Sequence, residues 1–114
     1  VKIRAGLTIV SLLIGNHAEA GTARASWYGG GEYLNAKTST GEHFNPRGRT
    51  CAHRTLPFGT RVEVTYRGRS TVCRVNDRGP AAYTGRSLDL SRAAADDIGL
   101  IAEGVGAVTM RVLQ

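Results

Sequence analysis

The chain has 114 residues, 41% hydrophobic and 21% charged, with fifteen Lys and Arg against nine Asp and Glu for a formal net charge of +6 at pH 7. These residues are expected to fold as one small core and not two, and two cysteines and three histidines without ligand spacing give no basis for a metal site. The basic balance favours an anionic or hydrogen-bond-rich polymer as partner. Nucleic acid is not the expected one, because no run of basic residues is interleaved with aromatics.

Residues 1–20 read as a signal peptide. Lys2 and Arg4 form a basic start, Ala5 to Gly15 an apolar run, and Ala18-Glu19-Ala20 a small-x-small cleavage motif. The run is too short to cross a bilayer, and no cysteine follows the motif to carry a lipid. The expectation is a monomeric periplasmic or secreted domain over residues 21–114, without a membrane anchor. In that oxidising setting Cys51 and Cys73, on separate predicted strands, are expected to pair.

Ala23 to Tyr28 reads as the first strand, stopped by Gly29-Gly30-Gly31. Trp27 and Tyr28 stand at that turn, placed to stack on sugar rings or to fill the core. Residues 32–49 are polar and rich in turn formers, a long connection for so small a domain. Within it, Glu42 lies between a glycine and His43-Phe44, as a site carboxylate or a solvated loop residue. Thr50 to Leu56 is a further strand that carries His53, an imidazole able to donate, accept or change charge near neutral pH. Thr60 to Tyr66 alternates Val62 and Val64 with Arg61, Glu63 and Thr65, and Arg67-Gly68-Arg69 turns it back into the strand Ser70 to Asn76. Asn76-Asp77-Arg78-Gly79-Pro80 forces a turn at its end. An acid at the end of a rigid strand is held in place yet reaches a cleft, so Asp77 is the first candidate for chemistry, against a role in bonding turn amides. Arg86 to Leu90 is a short strand and Ser91 caps a helix over Arg92 to Ile98, whose start Asp89 is placed to brace. Gly106 to Leu113 is the last strand. Six short strands, one short helix and many glycines predict a mainly β fold, a small closed barrel.

Ala25-Ser26-Trp27-Tyr28-Gly29, Thr40-Gly41-Glu42, the run from Ala52 to Thr60, Val75 to Pro80 and Leu88-Asp89-Leu90-Ser91 occur in the order of a known pattern. The chain resembles the rare lipoprotein A-like proteins, septal-ring lytic transglycosylases, over nearly all of residues 21–114. The resemblance implies a six-stranded double-psi β-barrel, related to expansins and barwins. It implies cleavage, without water and without a cofactor, of the β-1,4 bond between N-acetylmuramic acid and N-acetylglucosamine in peptide-poor peptidoglycan strands, leaving 1,6-anhydro ends. By motif the catalytic candidates are Glu42, His53 and Asp77, and Asp89 falls where expansins carry an acid in their polysaccharide groove. Asp77 is read as the acid that later acts as base, Glu42 as stabilising charge or sharing the base role, an assignment the two carboxylates can exchange, and His53 as orienting them. Trp27, Tyr28, Arg54 and Arg78, with Asp89, are expected to line the groove. The alternative is a non-catalytic, expansin-like polysaccharide-binding module. A lipobox and a sporulation-related repeat, carried by other members, are not expected here.

Overall fold

The computed structural model describes residues 20–29 and 37–113. Apart from Ala20, the expected signal peptide lies outside them.

Six strands form the domain: β1 (Gly21–Tyr28), β2 (Thr50–Ala52), β3 (Arg61–Tyr66), β4 (Arg69–Asp77), β5 (Leu88–Ser91) and β6 (Val105–Val112). A helix, α1 (Arg92–Asp97), follows β5 directly. In β3 the side chains of Val62, Val64 and Tyr66 are buried and that of Arg61 is exposed, because a period of two points alternate residues to opposite faces. The turn into β4 is tight: Arg67 and Gly68 both take positive φ, 49° and 83°, which matches the twist of a two-residue hairpin. Tyr66 pairs with Arg69 across it.

Around the barrel the strands run β1-β5-β2-β4-β3-β6, and β6 pairs with β1 to close it. Two of the contacts, β1 with β5 and β2 with β4, are parallel and join strands distant in sequence. The closed six-stranded barrel with one helix is the fold expected from the sequence. Its interior holds Val62, Val64, Val75, Leu88, Leu90 and Val108, all sealed from solvent, with Ala94, Ala95, Ile98 and Leu100 packed on it from α1 and the turn after it. Cys51 and Cys73 lie in the same core and are joined as a disulfide, Cα to Cα 5.8 Å, between β2 and β4.

One element departs clearly from expectation. β2 ends at Ala52 and not at Leu56, because His53 turns its ring back and its Nδ1 accepts the N–H groups of Thr55 and Leu56, each at 3.1 Å. Those donors are lost to any sheet partner, and the chain curls. The Asp89 carboxylate accepts from Ser26 Oγ at 2.8 Å. The capping is done by Ser91, whose Oγ accepts from Ala94 N and donates to the Gly48 carbonyl at 2.7 Å.

Candidate active site

The strand register sets the carboxylates in a row. Ser26 pairs with Asp89, Asp89 with Ala52, and Ala52 with Asp77, so one line crosses β1, β5, β2 and β4. Asp77 and Asp89 are therefore two strand spacings apart, about 10 Å between Cα atoms. The register slips between Cys51 and Ala52, where β4 carries Asn76 as an extra residue. Such a bulge re-aims the residue that follows it, here Asp77.

Asp77 is held by one oxygen. Its Oδ1 accepts from Ser39 N at 3.0 Å, Ser39 Oγ at 2.6 Å and Arg78 N at 2.9 Å, and Oδ2 makes no hydrogen bond among the described residues. The bond to Arg78 is the turn role considered for this residue, but the two bonds to Ser39 come from a loop far away in sequence.

That loop is closed on itself by the bridge between Lys37 and His43, by Thr38 N to the Glu42 carbonyl at 2.8 Å, and by Gly41 N to the Thr38 carbonyl at 2.9 Å. Gly41 takes φ +91°, which is why a glycine precedes Glu42. Thr40 N reaches the Asn76 carbonyl at 3.3 Å and fastens the loop to β4. Glu42 then meets Arg74 fork to fork, Nη1 to Oε1 at 2.9 Å and Nη2 to Oε2 at 3.0 Å. The hydrogen bonds from Arg74 hold the Glu42 carboxyl below its usual range, with smaller help from that guanidinium's charge, from the Asn76 amide and from the Thr40 hydroxyl.

His53 joins the same corner through its backbone N–H, which donates to the Asp77 carbonyl at 3.2 Å. With Nδ1 accepting two amides, the neutral ring carries its proton on Nε2. Burial pushes this imidazole below its ordinary value, and the charges of Arg54 and Arg78 push the same way. Tyr28 stands two residues beyond Ser26 on β1, paired with Ser91. Its phenol is pushed up to about 12, chiefly by burial, with the charges of Asp77, Asp89 and Glu42 each adding to the rise.

The residues expected to line the glycan groove also bond to the protein itself. Arg54 spends its Nη1 on the carbonyls of Pro80 and Arg86, both at 2.8 Å, and so ties the two ends of the loop after β4. Arg78 donates to the carbonyls of Leu56 at 2.8 Å and His53 at 3.2 Å and stacks over Phe58. Trp27 packs on the core and donates its indole N–H to the Ile101 carbonyl at 3.3 Å. Tyr28 packs its ring on Phe44, with centroids 4.9 Å apart. Sequence reasoning missed Ser39, Arg74 and Asn76. Only the turn-forming Thr38-Ser39-Thr40 before Gly41 marked that region, and nothing local pairs Arg74 with Glu42.

Residues 20–110 match the family model described as "Lytic transglycolase". The chain belongs to the lytic transglycolase family. Among its relatives, the "Probable endolytic peptidoglycan transglycosylase RlpA" of Nostoc sp. (strain PCC 7120) is 53% identical over 92 residues, which are 78% of this chain and 24% of that protein. The "Endolytic peptidoglycan transglycosylase RlpA" of Vibrio cholerae is 45% identical over 94 residues, 81% of this chain and 35% of that one. The chain thus spans about a quarter to a third of the length of these two lytic transglycolase relatives. Solved structures share the fold. A Streptomyces papain inhibitor superposes with a TM-score of 0.67 at 22% identity, over 84% of this chain and 96% of that one. A mutant expansin of Clavibacter michiganensis in complex with cellohexaose gives 0.67 at 17% identity, over 84% of this chain and 51% of that one.

Proposed function

We propose that this domain is an endolytic peptidoglycan lytic transglycosylase of the periplasm or secreted space, cleaving the bond between N-acetylmuramic acid and N-acetylglucosamine. The observation that carries the reading is the unequal engagement of two neighbouring carboxylates. Glu42 is favoured in its ionised form by the Arg74 fork, whereas Asp77 is fixed through Oδ1 and its Oδ2 makes no hydrogen bond among the described residues. Cleavage of a glycosidic bond needs one group that gives a proton and one that faces developing positive charge while remaining anionic.

In this reading protonated Asp77 Oδ2 gives its proton to the leaving oxygen of N-acetylglucosamine as the glycosidic bond breaks. Glu42 stabilises the oxocarbenium-like sugar. The C6 hydroxyl of the muramic acid then closes on C1, and Asp77, now ionised, takes its proton, so the 1,6-anhydro ring forms and the acid is regenerated. Attack from within the same sugar gains from proximity. His53 joins this corner through its backbone N–H on the Asp77 carbonyl, and its ring, turned onto the Thr55 and Leu56 amides, holds the chain that follows β2.

Asp77→Asn tests the assignment. Asn keeps an acceptor for Ser39 and Arg78 but has no proton to give, so the release of 1,6-anhydro products from denuded glycan should fall by roughly a hundredfold or more. Retention of peptidoglycan by the folded variant should be unchanged. A folded variant cleaving at the wild-type rate removes Asp77 from the mechanism. The fold shared with an expansin bound to cellohexaose favours a second reading, glycan binding without turnover, in which the wild-type domain forms no anhydro ends.

A further inference from the structure

Arg78 follows Asp77 directly, and its side chain is fixed in the same corner. Nη1 donates to the carbonyls of Leu56 at 2.8 Å and His53 at 3.2 Å, and the guanidinium carbon stands 3.9 Å from the centre of the Phe58 ring. The His53 N–H in turn donates to the Asp77 carbonyl at 3.2 Å. One residue, His53, therefore links the guanidinium to the backbone of Asp77, whose Oδ1 also accepts the Arg78 N–H at 2.9 Å. Phe58 is 43% exposed and Arg78 is exposed too, so the stack stands at the surface and not in the core. An arginine held in place has already lost its rotamer entropy, and a ligand that meets it does not have to supply that cost.

A guanidinium carries its N–H donors in one plane. Nη1 is used on the two carbonyls, while Nε and Nη2 make no hydrogen bond among the described residues. The Nε–H and one Nη2–H point the same way from the edge away from Nη1, the fork that receives both oxygens of a carboxylate. For other arginines that partner comes from the domain itself. Arg49, Arg74 and Arg111 each bond a carboxylate, and Arg67 lies 3.7 Å from that of Glu103. The Arg78 guanidinium, beside the site, meets no carboxylate among the described residues.

The substrate of the proposed reaction brings such a group. Muramic acid bears a lactyl ether on C3 of the same ring whose C1 bond is cut. Its carboxyl is an amide where a stem peptide is attached, and a free carboxylate where the peptide has been removed. We propose that Arg78 is the specificity residue for peptide-free glycan, receiving the lactyl carboxylate of the muramic acid on its Nε–Nη2 edge. A peptide-bearing strand offers that edge one neutral acceptor oxygen, with the bulk of the peptide behind it. The kinetic consequence rests on the transglycosylase reading; the preference for the carboxylate in binding does not.

Denuded glycan is compared, near neutral pH, with the same glycan after its lactyl carboxyls have been converted to methylamides. For the wild-type domain amidation should raise KM about tenfold at unchanged kcat, the scale of a charge-assisted pair at a surface. Arg78→Met keeps the length over Phe58 without donors; it should raise KM on the free-acid glycan and no longer tell the two glycans apart. Loss of the bonds to Leu56 and His53 alone would weaken both substrates equally and keep their ratio. Arg67→Gln removes the same charge from the hairpin at the other end of β4 and should keep the wild-type ratio. Arg78→Lys, with the charge but not the fork, should give an intermediate ratio and serves if Arg78→Met does not fold. Equal KM for the two glycans with the wild-type domain, or a wild-type ratio in either Arg78 variant, overturns the proposal. A ratio lost equally in Arg67→Gln makes the effect one of net charge and overturns it as well. A wild-type domain that releases no anhydro product would end the transglycosylase reading, and the dissociation constants of the two glycans, measured by calorimetry, would then decide this one by the same ratio.

Discussion

Reduction of Cys51–Cys73 tests how much of this small fold is held by its unfolded state. The bridge spans a sequence separation of 22 residues. By the loop-entropy relation a closure of that length contributes about 3 kcal/mol. Both sulfurs lie in the sealed core, so the two thiols, once parted to van der Waals contact, also press on their neighbours. The loss from the freed unfolded chain is therefore a lower bound on the effect. At roughly 4–8 °C per kcal/mol for a domain of this size, the midpoint should drop by about 12–24 °C. The protein should be unfolded and refolded under reductant, so that the buried bridge is opened completely, and compared with the oxidised form by calorimetry. Glycan cleavage at 25 °C should persist in the reduced form, since the β2–β4 ladder still sets Ala52 beside Asp77 and the His53 N–H still bonds the Asp77 carbonyl. A shift below about 5 °C would refute the entropic reasoning. Loss of cleavage at 25 °C in a reduced but folded protein would instead make the bridge a determinant of site geometry.

Arg74→Met should release Glu42 from its fork, let its carboxyl rise toward the ordinary value and move the acid limb of the cleavage pH profile upward; an unchanged limb would separate Glu42 from the rate. Because both partners are about half exposed, the stability change should be no more than about 1 kcal/mol by denaturant melts. His53 is neutral in both states above its ordinary value of about 6.5. As pH falls through that value the unfolded chain takes the proton first, so urea midpoints should decline between there and the depressed folded value, then level. His53→Asn, whose Oδ1 can accept the Thr55 and Leu56 amides, should abolish that part of the decline, whereas His53→Ala should lose about 1–3 kcal/mol at every pH by leaving two N–H groups without their acceptor.

The barrel was legible because its strands announce themselves locally. Val62 and Val64 alternate with charged residues, Arg67-Gly68 marks a hairpin, and Ser91 ahead of an alanine run marks a capped helix. The pairing order was not, since the parallel contacts of β1 with β5 and β2 with β4 join segments that carry no mutual signal. At the site, Asp77 stood out as an acid at a strand end, and the Thr40-Gly41-Glu42 motif singled out Glu42. The partners that set their states, Ser39 on Asp77 and Arg74 on Glu42, arise from a loop folding across 38 and 32 residues of sequence. Arginine in a turn reads as solvated or ligand-binding, and its use as a clasp on carbonyls, as in Arg54 and Arg78, appears only once the loops are in place.

Closure of the barrel has a topological consequence. β1 and β6 run antiparallel, with Gly21 opposite Met110, so the entrance to the domain and its exit lie side by side at one pole. Ser26, in the row of Asp77, is five residues further along β1, about 17 Å away. A short Gly-Ser bridge could therefore splice the two ends together. The ring so formed could be cut open at the exposed Arg67-Gly68 hairpin, giving a circular permutant that keeps every strand pair and carries its fusion points at the end of the barrel away from Asp77.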